Sequence, residues 1–419
     1  MVSQDVPALG KDSTIIIIGA GLAGIRAGFG AREAGFEGRI LLLSDEAHPP
    51  YDRPPLSKAV LMEDGHEAKI GLAPDAELER ARIDLRLSSR CEAIDRGARE
   101  VILAGDERIP YDRLVLATGS SIRTLPDLPY GAPGVHYLRT LDDALTLKQA
   151  MAQAKSVAII GAGVIGLEAA AVMANGGRSV LVVDPASRAM SRAASAPLTD
   201  YLETRHRAEG VDFQFGTQLS GVTTLDDGRW LLRLANGVEF TAELILVGVG
   251  VTPNAELAIA AGLDVDPRGI LVDGQGRTSD PAIYAAGEVA YHFNAGMGRH
   301  DKQETWAHAA AHGEHVGHAL MGVIDTDYAD TPSYWTDQYD IGVQVAGAGL
   351  GEQDIVRGDP ASGSFVVFHL IGGTVAGVTA VNSVRDLRAA RKLIGASVDP
   401  LALGDTAVDL KTIIAPVGA

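Results

Sequence analysis

Three glycines, Gly19, Gly21 and Gly24, sit between an apolar run and an alanine-rich stretch in the segment Ser13–Gly24, which reads STIIIIGAGLAG. Ile15 to Ile18 suit a buried parallel strand. Glycines at this spacing let the backbone turn tightly and approach a pyrophosphate. The helix that follows would offer its first N–H groups and about half an elementary positive charge. Leu22 and Ala23 fall inside the turn, and a second apolar run, Ile40–Leu43, leads to Asp45, where a carboxylate accepts from a ribose hydroxyl. The arrangement returns at Ser156–Gly166, SVAIIGAGVIG, with Gly161, Gly163 and Gly166, Val164 and Ile165 inside the turn, then a strand at Ser179–Val183 and Asp184. With 49 glycines in 419 residues, composition alone gives about 0.7 such triplets, so spacing by itself decides nothing. Strand before, helix after and acid beyond, twice over, imply two dinucleotide sites rather than two empty turns.

Other stretches place polar or small residues where a cofactor would lie. Residues 47–58, AHPPYDRPPLSK, carry four prolines that exclude regular helix or strand. Such a stiff loop would hold Arg53 and Lys58 fixed; the plain alternative is a surface loop with solvated charges. Ala117, Thr118 and Gly119 end the apolar run LVLATGS, and small residues there permit close backbone approach to a ligand. Gly248 and Gly250 end LILVGVG in the same manner. Thr278–Ala290 gives a strand and then Gly287-Glu288, ahead of a helix over about Thr305 to Gly322 that contains Trp306. Taken alone, Trp306 reads as a core residue of an amphipathic helix. Glu168 falls in the first turns of the second glycine helix, where it is either a solvated acid or a neighbour of the ligand.

These elements must be positioned by an α/β fold with two Rossmann-like dinucleotide-binding domains and an α+β C-terminal domain. The first dinucleotide-binding domain is expected over 1–121 and 250–328, the second over 122–249, and the C-terminal domain over 329–419, with Pro332 near its start. Residues 1–12 read as a loose tail. Residues 121–140, with Pro126, Pro129 and Pro133, read as a crossover, and Arg139 lies just beyond its prolines. Short strands are expected over 80–104 and over Asp212–Phe240, with turns at Asp227-Gly228 and Asn236-Gly237. A helix is expected over Leu141–Ala154, and strands at Ser364–Leu370 and Gly377–Val381 are followed by helical stretches.

Composition bounds the function. Lys and Arg number 36 and Asp and Glu 54, a formal charge of −18, which argues against sequence-independent nucleic-acid binding. No run of about 18 apolar residues suggests a membrane span, and the N-terminus has no apolar signal core, so a cytoplasmic protein is expected. The single cysteine, Cys91, excludes an internal disulfide and any CxxC redox pair. No metal site is expected.

In order and spacing, IIGAGLAG, PPYDRPPLSK, YDRLVLATGS, YLRT, IIGAGVIGLE, GVGVTPN, TSDPAIYAAGE and WTDQYDIG resemble the flavin-dependent pyridine-nucleotide oxidoreductases of glutathione-reductase-like fold. Within them the chain is most similar to the NADH-dependent ferredoxin reductases of multicomponent oxygenases. The resemblance implies bound FAD, NADH as substrate, a [2Fe–2S] ferredoxin as partner and a monomer or weak homodimer. It places Gly19, Gly21, Leu22, Ala23, Gly24, Asp45, Arg53, Lys58, Cys91 (through its backbone), Ala117, Thr118, Gly119, Arg139, Gly287, Glu288 and Trp306 at FAD. Most relatives carry Asp where this chain has Glu288. At NAD it places Gly161, Gly163, Val164, Ile165, Gly166, Glu168, Asp184, Arg192, Gly248 and Gly250. Lys58 near the isoalloxazine and Glu168 near the nicotinamide are implied to have most leverage on catalysis. Asp184 should favour NADH by repelling a 2′-phosphate, although Arg188 and Arg192 lie close in sequence. Trp335 matches a tryptophan near the flavin entrance, facing the ferredoxin or packing the C-terminal domain.

The implied reaction is hydride transfer from NADH to flavin, then two one-electron steps to ferredoxin. A disulfide reductase would need two cysteines beside the flavin. An acceptor such as rubredoxin, a quinone or a small radical would leave the nucleotide motifs unchanged. A binding or signalling role, like that of apoptosis-inducing factors, fits poorly with the acidic charge.

Overall fold

The structure, a computed structural model, describes residues 8–413; of the tail expected over residues 1–12, residues 1–7 lie outside the described residues. The chain divides into two compact units. Of the described residues, 8–53, 67–121 and 251–332 belong to the first, and 54–66, 122–250 and 333–413 to the second.

The first unit is built on a five-stranded parallel sheet in the order Ile283–Ala285, Arg113–Leu116, Thr14–Ile18, Arg39–Leu43, Ile83–Arg86. The central strands are unbroken runs of Ile, Leu and Val with no solvent-facing alternation, as a sheet covered on both faces requires. Ile15 to Ile17, Ile40 to Leu42 and Leu114 to Leu116 are fully buried. One face carries the helix Leu22–Glu33, which packs on the helix Trp306–Leu320. That pair approaches backbone to backbone: a Cβ on Gly317 would come within 2.4 Å of the Ala27 carbonyl oxygen. A three-stranded antiparallel sheet, Cys91–Asp95 with Glu100–Leu103 and Arg108–Pro110, covers part of the other face.

The second unit repeats the design. Its parallel sheet runs Val211–Phe215, Ser179–Asp184, Ser156–Ile160, Leu244–Val247, Val135–Tyr137. An antiparallel meander, Leu219–Thr224, Trp230–Leu234 and Glu239–Ala242, turns at the two glycine-containing turns expected from the sequence. Helix Leu141–Met151 starts with a capping box in which Thr140 and Asp143 satisfy each other's backbone N–H groups. The C-terminal part is a five-stranded antiparallel sheet in the order Ser333–Gln338, Ile341–Gly347, Thr374–Val381, Ser364–Ile371, Gln353–Asp359. Short helices at Val384–Ala390, Pro400–Gly404 and Leu410–Ile413 complete it. Among the described residues no helix is long and apolar enough to cross a membrane.

Candidate functional site

Each parallel sheet ends in a glycine turn, and the two turns are alike in detail. Gly19 has φ +108° and Gly161 φ +112°, a region open to glycine and strained for other residues. Gly19 N–H donates to the Leu43 carbonyl at 2.8 Å, and Gly161 N–H to the Val183 carbonyl at 2.8 Å. A Cβ on Gly19 would lie 2.2 Å from the Ala117 oxygen, and one on Gly161 2.3 Å from the Gly248 oxygen. The third glycine is pinned as tightly: a Cβ on Gly24 or Gly166 would collide with the carbonyl oxygen of Gly19 or Gly161. The middle glycine differs. A Cβ on Gly21 or on Gly163 would meet no protein atom within 4 Å. These residues cap their helices without any side-chain hydrogen bond. Each turn is therefore a cradle with open space at the helix start, bounded by uncapped N–H groups, which fits a pyrophosphate.

In the first unit, Leu22 and Ala23 open the glycine helix, and Asp45 is exposed just beyond the strand Arg39–Leu43. Arg53 is held by Glu46, Nη2 to Oε1 at 2.8 Å, and Tyr51 donates to the other oxygen of Glu46 at 2.5 Å. The proline loop is thus tied by a carboxylate that sequence reasoning passed over, although Glu46 directly follows Asp45. Ala117 to Gly119 follow their strand. Thr118 Oγ1 donates to the Asn254 carbonyl and Asn254 Nδ2 donates to the Thr118 carbonyl, at 2.7 and 2.9 Å. Cys91 is buried, and burial pushes its thiol up to about 11, so it carries no thiolate chemistry at neutral pH. Trp306 is 39% exposed at the first position of its helix, and its indole N–H donates to Asp52 Oδ1 at 2.7 Å. It is not the core tryptophan that an isolated reading of its helix would give. Gly287, with φ +71°, and Glu288 form a short 3₁₀ turn after the edge strand Ile283–Ala285.

In the second unit, Glu168 is the centre of a network. It is 4% exposed on the glycine helix Val164–Asn175. Ser57 Oγ donates to its Oε2 at 2.5 Å, Thr336 Oγ1 donates to its Oε1 at 2.7 Å, and Lys58 Nζ lies 3.3 Å from Oε1. Lys58 also reaches Asp337 Oδ2 at 3.1 Å, and its ammonium stands 5.8 Å from the Trp335 ring centroid. The solvated-acid reading of Glu168 is therefore set aside: a buried carboxylate with three donors is a satisfied charge. Asp184 ends its strand with Oδ2 accepting from the Ala162 N–H at 2.7 Å and Oδ1 from the Ala186 N–H at 2.8 Å. It braces the glycine turn itself. Arg188 is committed to the Ala194 carbonyl and Thr199, whereas Arg192 is exposed. Val164 and Ile165 open the glycine helix, with Ile165 44% exposed beside the exposed Gly163. Gly248 and Gly250 follow the strand Leu244–Val247, and Arg139 precedes the Thr140 cap, its own N–H donating to Asp143. Among the described residues, no group of three or more His, Cys, Asp or Glu is placed to hold a metal ion.

Residues 13–313 match the pyridine nucleotide-disulphide oxidoreductase family, and residues 333–414 match the reductase C-terminal family. The anthranilate 1,2-dioxygenase system ferredoxin–NAD(+) reductase component of Burkholderia cepacia is 42% identical over 95% of this chain and 98% of its own length. The p-cumate 2,3-dioxygenase system ferredoxin–NAD(+) reductase component of Pseudomonas putida is 40% identical over 96% and 99%. Among solved structures, the covalent putidaredoxin reductase–putidaredoxin complex matches with TM-score 0.91 and 35% identity, covering 97% of this chain and 99% of that one. The ferredoxin reductase for the CYP199A2 system of Rhodopseudomonas palustris matches with TM-score 0.92 and 37% identity, covering 96% and 100%.

Proposed function

Because this chain belongs to the pyridine nucleotide-disulphide oxidoreductase family, we propose that it is an FAD-dependent NADH:ferredoxin oxidoreductase. It takes a hydride from NADH and delivers single electrons to a [2Fe–2S] ferredoxin that feeds an oxygenase. It is expected to work in the cytoplasm as a monomer or weak homodimer. The observation that carries the reading is the matched pair of open glycine cradles, one in each unit, in a chain with a single, buried cysteine. Two dinucleotides can bind, and no thiol pair is available to relay electrons.

FAD supplies the chemistry, since it accepts two electrons as a hydride and can release them one at a time. The chain supplies binding and placement. Gly19, Gly21 and Gly24 admit the FAD pyrophosphate to the helix N-terminus, and Asp45 accepts from the ribose. Gly161, Gly163 and Gly166 do the same for NADH. Asp184, anchored by two backbone N–H groups, keeps a fixed negative charge at the end of its strand, which disfavours a 2′-phosphate. Lys58 is held by Glu168 and Asp337 and supplies the positive charge that favours an electron-rich flavin. Glu168 already accepts from three donors, so it acts by placing Lys58 and the nicotinamide side of the helix rather than by moving a proton.

Anaerobic titration of the yellow protein with NADH tests the proposal. Flavin absorbance should bleach with about one equivalent, and added [2Fe–2S] ferredoxin should then be reduced. Bleaching without ferredoxin reduction, but with reduction of a quinone or rubredoxin, would assign another acceptor. A flavin that ignores NADH would end the reading.

A further inference from the structure

Three histidines occupy the interior of the first unit without a role in the reaction just described. His308 and His312 lie one turn apart on the helix Trp306–Leu320, and His292 lies on the strand Ala290–Asn294. All three are at most 1% exposed. His292 stacks on His308 at 4.5 Å between centroids and His308 on His312 at 4.9 Å, with the His292 ring tilted 40° to that of His312 at 4.9 Å. Tyr328 closes the cluster, its hydroxyl 3.2 Å from His308 Nδ1. The stack makes a polar contact toward the FAD side. The Gly287 N–H donates to His312 Nδ1 at 3.1 Å. The proton of His312 therefore sits on Nε2, which is buried with no hydrogen-bond partner among the described residues, so the Gly287 contact and the ring packing fix the imidazole between them.

The Gly287 turn is constrained from two further directions. Lys302 Nζ donates to the Glu288 carbonyl at 2.8 Å. A Cβ on Gly287 would lie 2.5 Å from the Ala23 Cβ, so the turn is packed directly against the first turn of the FAD-type glycine helix. Gly287 N–H and Glu288 C=O belong to one short 3₁₀ turn with positive φ at its start, which has little internal hydrogen bonding of its own. An unanswered N–H there would be a buried orphan.

We propose that His312 and Lys302 are positioning residues that hold the Gly287–Glu288 turn in the conformation the FAD site needs, with His308 and His292 serving as the packed wall that sets the His312 ring. This rests on the assignment of the first cradle and the Gly287 turn to FAD. Neither residue touches the reacting atoms; both act through the backbone of the turn.

The test measures FAD release from the holoenzyme by recovery of flavin fluorescence, and FAD affinity by reconstitution of the apoprotein. Four variants are compared: His312→Gln, which retains an acceptor, His312→Leu, which does not, Lys302→Met and Lys302→Arg. His312→Leu and Lys302→Met should each weaken FAD by about tenfold or more, as loss of one buried or charge-assisted hydrogen bond implies. His312→Gln and Lys302→Arg should stay within about threefold of the parent. The melting temperature of each apoprotein separates a loosened turn from a damaged core. If His312→Leu does not fold, the Lys302 pair and His312→Gln decide. FAD held equally by Met and Arg at position 302, or as weakly by Gln as by Leu at position 312, overturns the proposal. A parent protein that binds no FAD at all would instead sink the functional reading, so the two failures are distinct.

Discussion

Lowering the pH from 7 to 5 should sharply destabilise the first unit of the apoprotein, and the stacked histidines set the size of the effect. Burial is the largest cause in each case: it pulls His292 down to about 4 and His308 down to about 3, and takes His312 well below the ordinary histidine value. In the unfolded chain all three titrate near 6.5. A folded value below the unfolded one means that stability is fully present above pH 6.5 and is lost as pH falls toward the folded value. At pH 5 unfolded His292 and His308 each carry a proton that their folded counterparts refuse. Going from pH 7 to pH 5 thus removes about 1.9 kcal/mol for each of His292 and His308, about 4 kcal/mol together, and His312 acts in the same direction. That is a large part of the 5–15 kcal/mol typical of a domain. One effect opposes it. The chain carries a formal charge of −18, and protonating exposed groups relieves repulsion, but screening over about 10 Å at 0.1 M salt keeps that gain small. The assay is urea unfolding at pH 7, 6 and 5, followed through Trp306 in a Trp230→Phe, Trp335→Phe background. Near pH 5 His292 and His308 alone should bring the slope of unfolding free energy against pH to about 2.7 kcal/mol per unit, two protons' worth, with His312 adding in the same direction. A His308→Gln, His292→Gln double variant should have a slope about two protons shallower. A change of less than about 1 kcal/mol between pH 7 and 5, or an unchanged slope in the double variant, would refute the reasoning.

Three further outcomes follow from the geometry. Gly21→Val should leave the apoprotein melting temperature nearly unchanged yet abolish flavin retention, because its side chain enters open space, whereas Gly24→Ala should fail to accumulate as folded protein, since its Cβ would lie 1.9 Å from the Gly19 oxygen; soluble yield, melting and bound flavin distinguish the two. Glu168→Ala should destabilise the second unit by about 3–5 kcal/mol, since it strands the Ser57 and Thr336 hydroxyls and half of the Lys58 pairing, and Glu168→Gln by about half as much; chemical unfolding followed by Trp335 fluorescence reads both. NADH should exceed NADPH in kcat/KM, and Asp184→Ala should narrow that ratio while loosening the turn that Asp184 anchors through Ala162; steady-state kinetics with both nucleotides check it.

The sheets and cradles were legible because their signals are local. A run such as Ile15–Ile18, four β-branched residues followed by a glycine, suits a doubly covered strand, and the glycine positions report steric demands that another residue would violate. The type of each fingerprint strand and helix, and the two glycine-containing hairpin turns, follow from the same short-range patterns. What could not be read was the company that single polar residues keep. Glu168 looks like a surface acid in a helical pattern. The family resemblance allowed an ion pair with Lys58, which lies 3.3 Å from it, but nothing pointed to Ser57 and Thr336, which come to it from more than 100 positions away. Trp306 had the pattern of a core residue, but its place at the start of the helix leaves it half exposed with a partner at Asp52. Glu46 gave no motif at all, and its grip on Tyr51 and Arg53 is visible only in three dimensions. The histidine stack is similarly silent: spacing of four on one helix suggests a shared face, but nothing in it points to His292.

The Glu168 knot bears on how the polypeptide is completed during synthesis. Thr336, which supplies one of the three donors, is 168 positions downstream of the carboxylate. At ribosomal speeds this is a wait of roughly 10–30 s. Over that interval the parallel sheet of the second unit can assemble, but the acid on its helix has no Thr336 and no Asp337 to steady Lys58. A nascent chain arrested before residue 336 would therefore hold Glu168 with Ser57 and Lys58 but without the Thr336 donor, and closing that last contact would mark the moment at which translation of the last sheet takes effect.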